Sequence, residues 1–330
     1  MDLPITPTQI SVNDFLDFLE INGEIRASVP SMLASPESFY RQFSIPKRSG
    51  GLRTVRSPYP SLSFVQQRLL DKILVSQPVH ECAFAYRQGR NAIQNAAIHL
   101  KCDQLLTVDI VDFFHAVSRQ MVFQVFFDSG LSPKFCQYAA LLCCYEDGLP
   151  QGACTSPVLS NLAFYVLDNR LYRLAVKLNL NYSRYADDLA FSGKSIPVGL
   201  IKLIERILLS RRFRINNNKT KLKKGLVKKI ITGVSIASGA LKAPKSFKRD
   251  LRAQVYELEL NMGNLATRSH LDPLMFERVI GRINYLLQIE PDNKYALVKK
   301  RSLSDSHQVF LSLVPQNLFD EILEYAVVST

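Results

Sequence analysis

The chain has 330 residues, of which 47% are hydrophobic and 21% charged, values typical of a globular protein with a sizeable core. Its longest apolar run, Tyr138–Tyr145, has eight residues, fewer than the roughly 18–20 that a transmembrane helix requires. The N-terminus lacks a basic segment followed by an apolar stretch, and the six cysteines form no C-x-x-C pair. We therefore expect a cytoplasmic protein with reduced thiols and no membrane partner.

The positive charge is concentrated in one part of the chain. Lys and Arg number 41 against 29 Asp and Glu, which gives a formal net charge of +12. The segment Arg206–Arg249 contains 14 basic residues and no acidic one, while the remainder has 27 basic and 29 acidic residues. A solvated lysine-rich face usually includes acidic residues as well. The tract therefore indicates a site for a polyanion, either nucleic acid or phosphate.

Short helices and paired strands are predicted in the N-terminal part of the chain. Residues 11–22 are typical of a helix that begins at a capping box between Ser11 and Asp14. Two strands follow within 44–58, joined by a Gly50–Gly51 turn. They carry the cations Lys47, Arg48, Arg53 and Arg56.

The central part alternates strand and helix. The segment LLTVDIVDFF (105–114) is nearly all apolar apart from Asp109, which is typical of a buried strand. Ser156 as N-cap and Pro157 at the first position mark the start of a helix, whose apolar residues continue to about residue 178. A hairpin with the sequence YADD at its tip comes next.

The C-terminal part is predicted to be mainly helical. A helix is expected near 197–211, a strand at 230–236, and a further helix beyond residue 244. Apolar residues of this last helix repeat at spacings of four and three: Phe247, Leu251, Val255, Leu258 and Met262.

The YADD hairpin places two aspartates, Asp187 and Asp188, among apolar residues, where an unpartnered carboxylate is costly. A turn is one explanation, because Asp tolerates turn geometry. A β-α-ββ core of the ferredoxin-like kind offers another, since neighbouring strands can bring Asp109 to the hairpin tip. Three carboxylates there would repel one another, and two Mg²⁺ ions would relieve the repulsion. Such a metal pair serves nucleotidyl transfer, so metal binding explains the two aspartates better than a turn does.

In these motifs the chain resembles reverse transcriptases, and within them the retron reverse transcriptases of bacteria. The resemblance extends in order from about residue 40 to 300. Its seven blocks are FSIPKRSGGLRTVRSP (43–58), AFAYRQGRN (83–91), LTVDIVDFF (106–114), LPQGACTSPVLSNLAF (149–164), SRYADD (183–188), NNNKTK (216–221) and ITGVSI (231–236). Two features are similar to retron signatures: NAAIH (95–99) to Asn-Ala-x-x-His, and ITG to Val-Thr-Gly with Ile in place of Val.

The resemblance implies an α+β right-hand polymerase fold with fingers, a ferredoxin-like palm and a helical thumb. It places fingers and palm in residues 1–240, with an N-terminal helical segment to about residue 40, and a basic, RNA-binding thumb in 241–330. The roughly 90 residues after the palm are expected to hold a thumb but no RNase H, protease or integrase domain.

The resemblance also implies a catalytic centre. Asp109, Asp187 and Asp188 would bind two Mg²⁺ ions, with the carbonyl of Ile110 as a further ligand. Lys219 matches the lysine proposed to protonate the pyrophosphate leaving group, although a simple phosphate contact is an alternative role for it.

A nucleotide site is implied beside this centre. Lys47 and Arg53 resemble the finger residues that grip the incoming triphosphate. Phe114 matches the bulky residue that excludes a 2′-OH, and a plain core phenylalanine is the alternative. Gln151 and Gly152 would line the nucleotide and template pocket.

The RNA contacts are assigned to two places. Asn95 and His99 lie in the retron signature, and His99 is expected to be a structural or RNA-contacting histidine rather than a catalyst. In the thumb, a helix that starts near Ser246 would pack its apolar residues and present cations to the RNA backbone. These cations are Lys245, Lys248, Arg249 and Arg252.

The remaining candidates are assigned structural roles. Asp112 is expected to cap the turn after its strand. Three other aspartates are read as loop or surface carboxylates: Asp147, Asp168 and Asp250. Four histidines have no second ligand at metal spacing: His80, His115, His270 and His307.

The function implied is that of a retron reverse transcriptase, an RNA-directed DNA polymerase. It would copy its cognate structured non-coding RNA from deoxynucleoside triphosphates, prime from a 2′-OH of that RNA, and make branched multicopy single-stranded DNA (msDNA). Retrons act in antiviral defence with a separately encoded effector protein, and template removal would need host RNase H.

Three alternatives are weighed against this function. Another bacterial reverse transcriptase, of the group II intron kind, is disfavoured because no zinc-knuckle or endonuclease motif follows the palm blocks. A nucleotide cyclase with a palm would lack the finger blocks and the basic thumb. A non-catalytic RNA-binding scaffold need not keep three metal carboxylates.

Overall fold

The computed structural model describes residues 10–47, 50–225, 227–263 and 274–313. The chain divides into two compact units, with the division between Val227 and Lys228. The last palm block, ITGVSI (231–236), therefore lies in the second unit, although the sequence predicts that the thumb begins only at residue 241. No helix within the described ranges is long and apolar enough to cross a membrane.

The N-terminal segment is a structural part of the first unit. Helix α1 (Val12–Phe18) begins at the predicted capping box, where the backbone N–H of Asp14 donates to Ser11 Oγ (3.2 Å) and that of Ser11 to Asp14 Oδ2 (2.7 Å). It ends before the predicted residue 22, because Glu20 takes a left-handed φ of 54°. Helix α2 (Gly23–Ala34) follows.

The fingers hairpin is confirmed. Strands β1 (Tyr40–Pro46) and β2 (Leu52–Pro58) pair antiparallel, and both glycines of the turn have positive φ. Helix α3 (Pro60–Leu69) runs into a π-helical turn at Leu70–Leu74, and α4 (Ala92–Ala97) follows.

A four-stranded antiparallel sheet forms the palm, in the order β4-β5-β3-β6. Four helices, α5 to α8, lie between β3 and the β4–β5 hairpin, and α8 directly precedes β4, so the β-α-ββ core and the α+β fold class are confirmed. The elements are β3 (Gln104–Asp109), α5 (Phe113–Ala116), α6 (Arg119–Asp128), α7 (Pro133–Cys143), α8 (Ser156–Lys177), β4 (Asn181–Tyr185), β5 (Asp188–Gly193), α9 (Leu200–Leu209) and β6 (Lys221–Lys224).

Aromatic side chains connect the N-terminal segment to this core. The ring of Phe15 on α1 lies 4.7 Å from that of Phe135 on α7, and Phe18 contacts the same ring at 5.2 Å, measured between centroids. Phe15 is fully buried. The first 40 residues, which carry no sequence motif, therefore complete the hydrophobic core of the first unit from residue 10 onward.

Three further predicted boundaries are wrong. The strand predicted to reach residue 114 ends at Asp109, because Asp112 has φ 44° and the chain turns into α5. Asp112 precedes that helix but makes no side-chain cap. The N-cap of α8 is Thr155 rather than Ser156. The strand at 230–236 is instead a hairpin, because its two central residues, Thr232 and Gly233, have positive φ.

The second unit is small and mainly helical. Its hairpin consists of β7 (Ile230–Ile231) and β8 (Val234–Ser235). Its helices are α10 (Lys245–Gly263), α11 (Leu274–Ile289) and α12 (Lys294–Leu313). The helical periodicity of the sequence is confirmed, since α10 buries Leu251, Val255 and Leu258.

Candidate active site

Pairing of β3 with β5 brings the three aspartates together. Asp109 lies directly opposite Asp188 in the register, and the backbone N–H of Ile110 donates to the Asp187 carbonyl (3.0 Å). Residues opposite each other in such a pair have Cβ atoms roughly 4.5–5.5 Å apart. Asp109 is buried, with 7% of its surface exposed, whereas Asp187 is half-buried and Asp188 is exposed. The predicted approach of Asp109 to the tip of the hairpin is confirmed by this register.

Lys219 reaches the same place from the loop before β6. Its Nζ lies 2.9 Å from Asp109 Oδ2, an ion pair between an exposed lysine and a buried carboxylate. Backbone bonds fix this loop: Asn216 donates to the Asp109 carbonyl (2.8 Å), and Lys219 donates to that of Asn216 (3.1 Å). The bond to Asp109 raises the pKa of Lys219, so its ammonium form is favoured.

The cluster is electrostatically strained. Withdrawal from water, followed by the charges of Asp187 and Asp109, raises the pKa of Asp188 to about 6. Partial burial likewise raises the pKa of Asp187, with Asp109 adding to the effect and Lys219 opposing it. Although Asp188 keeps an exposed face, its like-charged neighbours act in the same direction as its burial. A cation that neutralises the carboxylates would therefore bind favourably.

The donor set fits a hard divalent cation, since carboxylate oxygens are the ligands that Mg²⁺ prefers. Across the described parts of the chain, however, no three Asp, Glu, His or Cys side chains are arranged closely enough to hold a metal ion. One oxygen of Asp109 is instead paired with Lys219. A metal at this position would replace the ammonium as the counter-charge of Asp109.

The two predicted phosphate-binding cations, Lys47 and Arg53, lie at different places on the β1–β2 hairpin. Arg53, exposed on β2, acts electrostatically on Asp187 and lowers the pKa of that carboxyl against the larger effect of burial. Lys47 lies at the exposed tip of the hairpin, where its backbone N–H donates to the Gly51 carbonyl (2.9 Å). Arg53, one of the two predicted phosphate-binding residues, therefore acts electrostatically on one of the aspartates.

The loop with Gln151 and Gly152 is joined to the fingers by its backbone. The N–H of Arg56 donates to the Gln151 carbonyl (2.8 Å). Gly152 has φ 131°, and a Cβ at this position would lie 2.7 Å from the carbonyl oxygen of Arg56. Glycine is therefore required here by contact with the protein's own backbone.

Phe114 is half-buried and lies beside an aromatic residue that the sequence did not single out. Its ring centroid is 5.9 Å from that of Tyr86, which is 45% exposed and has φ 57°. Burial raises the pKa of the Tyr86 phenol, and Asp187 adds to the effect. Tyr86 thus lies beside the candidate gate, and the charge of Asp187 acts on its phenol.

The family of the chain follows from comparison with known sequences. Residues 45–246 match the family described as reverse transcriptase (RNA-dependent DNA polymerase). The chain belongs to the reverse transcriptase family. Enzymes of this family generally use divalent metal ions, in agreement with the donor set.

Curated relatives confirm the resemblance to retron reverse transcriptases. The Retron Mx162 reverse transcriptase of Myxococcus xanthus is 31% identical over 252 residues, 66% of this chain and 52% of the relative. The Retron Mx65 enzyme of the same organism is 28% identical over 79% of this chain and 64% of the relative. The Retron Ec83 reverse transcriptase of Escherichia coli is 28% identical over 80% of this chain and 88% of the relative. The chain therefore spans between half and two thirds of the two Myxococcus relatives.

Among solved structures, the chain is similar to a telomerase from Candida albicans in complex with a fragment of telomeric RNA. The TM-score is 0.47 at 10% sequence identity, over 82% of this chain and 60% of that chain. The family assignment does not depend on this distant likeness.

Two predicted RNA contacts of this reverse transcriptase are wrong, because Asn95 and His99 are both buried. His99 Nδ1 is hydrogen-bonded to Ser192 Oγ on β5, and its Nε2 to Ser183 Oγ on β4, each at 2.7 Å. Burial lowers the pKa of His99 to about 4, so the imidazole is neutral at physiological pH. The alternative reading of His99 as a structural residue is the right one, since it joins both strands of the YADD hairpin.

Asp168 is also not the surface carboxylate that the sequence suggested. It is fully buried on α8 and forms an ion pair with Arg184 on β4, whose side chain is fully buried as well. Its position on α8 gives no hint of this partner, because the two residues meet only in the folded sheet.

The predicted thumb cations fall into two groups. Lys245, Arg249 and Arg252 are exposed on α10. Lys248 is half-buried, and its Nζ contacts both carboxylate oxygens of Glu290 at 2.6 and 2.8 Å. The same carboxylate accepts from the backbone N–H of Ala243. Lys248 is therefore part of the internal packing of the second unit, and its assignment as an RNA contact needs correction.

We predict that His99→Leu destabilises the protein and weakens its response to acid. Each serine hydroxyl left without a partner costs about 1–3 kcal/mol. Because the pKa of His99 is lowered from 6.5 to about 4 by folding, the wild type should lose stability as the pH falls from 6.5 towards 4. Thermal unfolding across this range should show that loss, and His99→Leu should show a smaller one.

The matched control replaces the two serines as well. His99→Leu with Ser183→Ala and Ser192→Ala should recover part of the lost stability, because no hydroxyl then lacks a partner. At pH 7.5, folded His99→Leu should bind RNA like the wild type. A selective loss of RNA affinity in fully folded protein would contradict the structural role.

We also predict that Asp188→Asn raises the unfolding temperature in EDTA by a few degrees, because one of three repelling charges is removed. The same variant should lose most of the additional stability that the wild type gains from Mg²⁺. Asp103→Asn, which removes an exposed charge just before the other end of β3, is the control and should change neither value. Equal Mg²⁺ responses of Asp188→Asn and wild type would show that the carboxylate binds no metal.

Proposed function

We propose that the protein is an RNA-directed DNA polymerase of the retron type. The observation that carries the proposal is the register of β3 and β5, which sets Asp109 opposite Asp188 at the tip of the hairpin, with Lys219 as counter-ion. Polymerase chemistry accounts for three carboxylates at one point, whereas a binding scaffold gives no reason for their mutual repulsion. The family match and the retron relatives support the same activity.

Each residue of the cluster has a part in this proposal. Asp109, Asp187 and Asp188 would hold two Mg²⁺ ions, with the carbonyl of Ile110 available as a further ligand. When bound, the ions would activate the attacking hydroxyl and stabilise the charge on the leaving pyrophosphate. Lys219 neutralises Asp109 in the absence of metal and, once released, would lie close to the triphosphate as a cation or proton donor.

Further residues are assigned to substrate binding in this proposal. Arg53 supplies positive charge near Asp187, and Lys47 at the tip of the same hairpin would reach the outer phosphates. Phe114 would lie under the sugar and exclude a 2′-OH. Gln151 and Gly152 would line the nucleotide and template pocket, and the backbone hydrogen bond between Arg56 and Gln151 keeps their loop next to strand β2.

The proposed template is a cognate structured non-coding RNA. By analogy with retron enzymes, synthesis would start from a 2′-OH of that RNA and yield msDNA, in the cytoplasm, with host RNase H removing the template. Antiviral defence together with a separately encoded effector protein is the biological role proposed. The acid-free tract and the exposed cations of α10 support RNA as the partner.

We predict that replacing Asp109, Asp187 or Asp188 by Asn lowers primer extension by several orders of magnitude and leaves RNA affinity nearly unchanged. The carboxylates act in the chemical step, and their removal reduces negative charge near the RNA. Single-nucleotide addition with Mg²⁺ and filter binding of the same RNA measure the two effects. RNA affinity that fell in parallel with the rate would point to a structural role.

Sugar selection gives a second test. Phe114→Ala should incorporate ribonucleotides far better relative to deoxynucleotides, because the exclusion is steric. The ratio of kcat/KM for the two nucleotide types measures the change. Phe113→Leu is the control, since Phe113 is buried in the core and its replacement should lower stability without altering the ratio. If Phe114→Ala remains as selective as the wild type, the gate lies elsewhere.

The exposed thumb cations are tested by salt dependence. Replacing Lys245, Arg249 and Arg252 by Gln should weaken RNA binding and reduce the log–log salt slope by about 0.7–0.9 per lost phosphate contact. Lys248→Gln is the matched control and should leave the slope unchanged, because this lysine is paired with Glu290. Equal slopes for triple variant and wild type would show that this face of α10 does not touch the RNA.

A further inference from the structure

The tip of the YADD hairpin contains a backbone conformation that needs support. Ala186, between Tyr185 and Asp187, has a φ of 56°, in the left-handed region. An L-residue other than glycine pays roughly 1–2 kcal/mol to adopt it. This peptide directly precedes the two aspartates, so a change in its orientation would move both carboxylates.

A buried arginine holds that peptide. Arg184 Nη1 donates to the carbonyl oxygen of Ala186 (3.3 Å). The backbone of Arg184 is fixed on the opposite side, where its N–H donates to the Cys82 carbonyl (2.8 Å) and its carbonyl accepts from Phe84 (2.9 Å). The guanidinium therefore reaches the turn from a rigid attachment.

The guanidinium itself is oriented by a carboxylate on α8. Arg184 Nε donates to Asp168 Oδ1 (2.9 Å) and Nη2 to Asp168 Oδ2 (2.6 Å), a two-pronged pair that uses the planar fork of arginine. Tyr182 Oη donates to the same Oδ1 (2.9 Å), and the ring of Phe164 lies 4.7 Å below the guanidinium carbon. Asp168 and Arg184 are both fully buried.

Stability alone is a poor explanation for this pair. Taking two charges out of water is expensive, and well-packed apolar residues at such positions are often equally or more stabilising. A fixed charged fork has another use, because it specifies one direction for the hydrogen bond to Ala186. A displacement of about 1 Å at a reacting group can cost roughly a hundredfold in rate.

We propose that Arg184 is a positioning residue for catalysis: oriented by Asp168 and Tyr182, it sets the Ala186 peptide and thereby the direction of the Asp187 and Asp188 carboxylates. Arg184 touches neither substrate nor metal in this role. The inference rests on the polymerase activity proposed above. It assigns a function to α8, which carries Asp168 beneath the hairpin.

The test separates position from stability. In the variant Asp168→Leu/Tyr182→Phe/Arg184→Met the whole polar group becomes apolar, so the fold should remain while the bond to Ala186 is lost. We expect near-wild-type RNA affinity and an unfolding temperature within a few degrees of the wild type. Single-nucleotide addition at saturating deoxynucleotide should fall at least tenfold, with a much smaller change in KM. The additional stability conferred by Mg²⁺ should also shrink.

Arg184→Lys decides the matter if the triple variant does not fold. Lysine keeps the charge opposite Asp168 but cannot bond Asp168 twice and Ala186 at once. It should therefore remain folded and show the same loss of rate. The surface pair Arg26–Asp17 provides the control: Arg26→Met/Asp17→Leu should leave the rate of nucleotide addition unchanged.

The outcomes distinguish this inference from the activity on which it depends. A wild type that extends no primer would reject the polymerase activity. Wild-type extension, together with an unchanged rate and Mg²⁺ response in a folded triple variant or in Arg184→Lys, would reject the role of Arg184 alone.

Discussion

Mutual repulsion of three carboxylates is the constraint around which the first unit is built. Asp109 and Asp188 face each other across two strands, so the backbone pairing of β3 with β5 has to hold like charges close together. Three separate devices hold the arrangement: Lys219 as counter-ion, His99 bonded to both strands of the hairpin, and Arg184 fixed by Asp168. Because a shift of one residue in register would turn every side chain to the other face, these devices protect the alignment of the site.

Much of the fold and the position of Asp109 beside the hairpin could be predicted from the sequence. The Ser11–Asp14 capping box, the glycine turn of the fingers and the body of α8 all depend on residues close together in the chain. The convergence of Asp109 with the YADD hairpin was also predictable, because the motifs fix which strands must pair. The family follows from the same motifs.

Long-range partners explain what the sequence could not reveal. The sequence predicts a loop or surface carboxylate at Asp168, because its partner Arg184 lies on a strand 16 positions later. The sequence leaves an RNA contact open for His99, because its serine partners lie more than 80 positions away. Lys248 has its carboxylate 42 positions on. In each case the polar residue is satisfied by a contact that only the folded chain provides.

The hydrogen bond between strand β2 and the loop with Gln151 and Gly152 has a consequence for how such a protein can vary in sequence. It joins the Arg56 N–H to the Gln151 carbonyl, so both partners are main-chain groups that every residue except proline at position 56 supplies. The side chains at positions 56 and 151 are therefore free to change without separating the two segments. Position 152 is constrained instead, because a Cβ atom there would collide with the Arg56 carbonyl on strand β2. Side chains at positions 56 and 151 can thus vary, whereas the close approach of the two segments depends on the absence of a Cβ atom at Gly152.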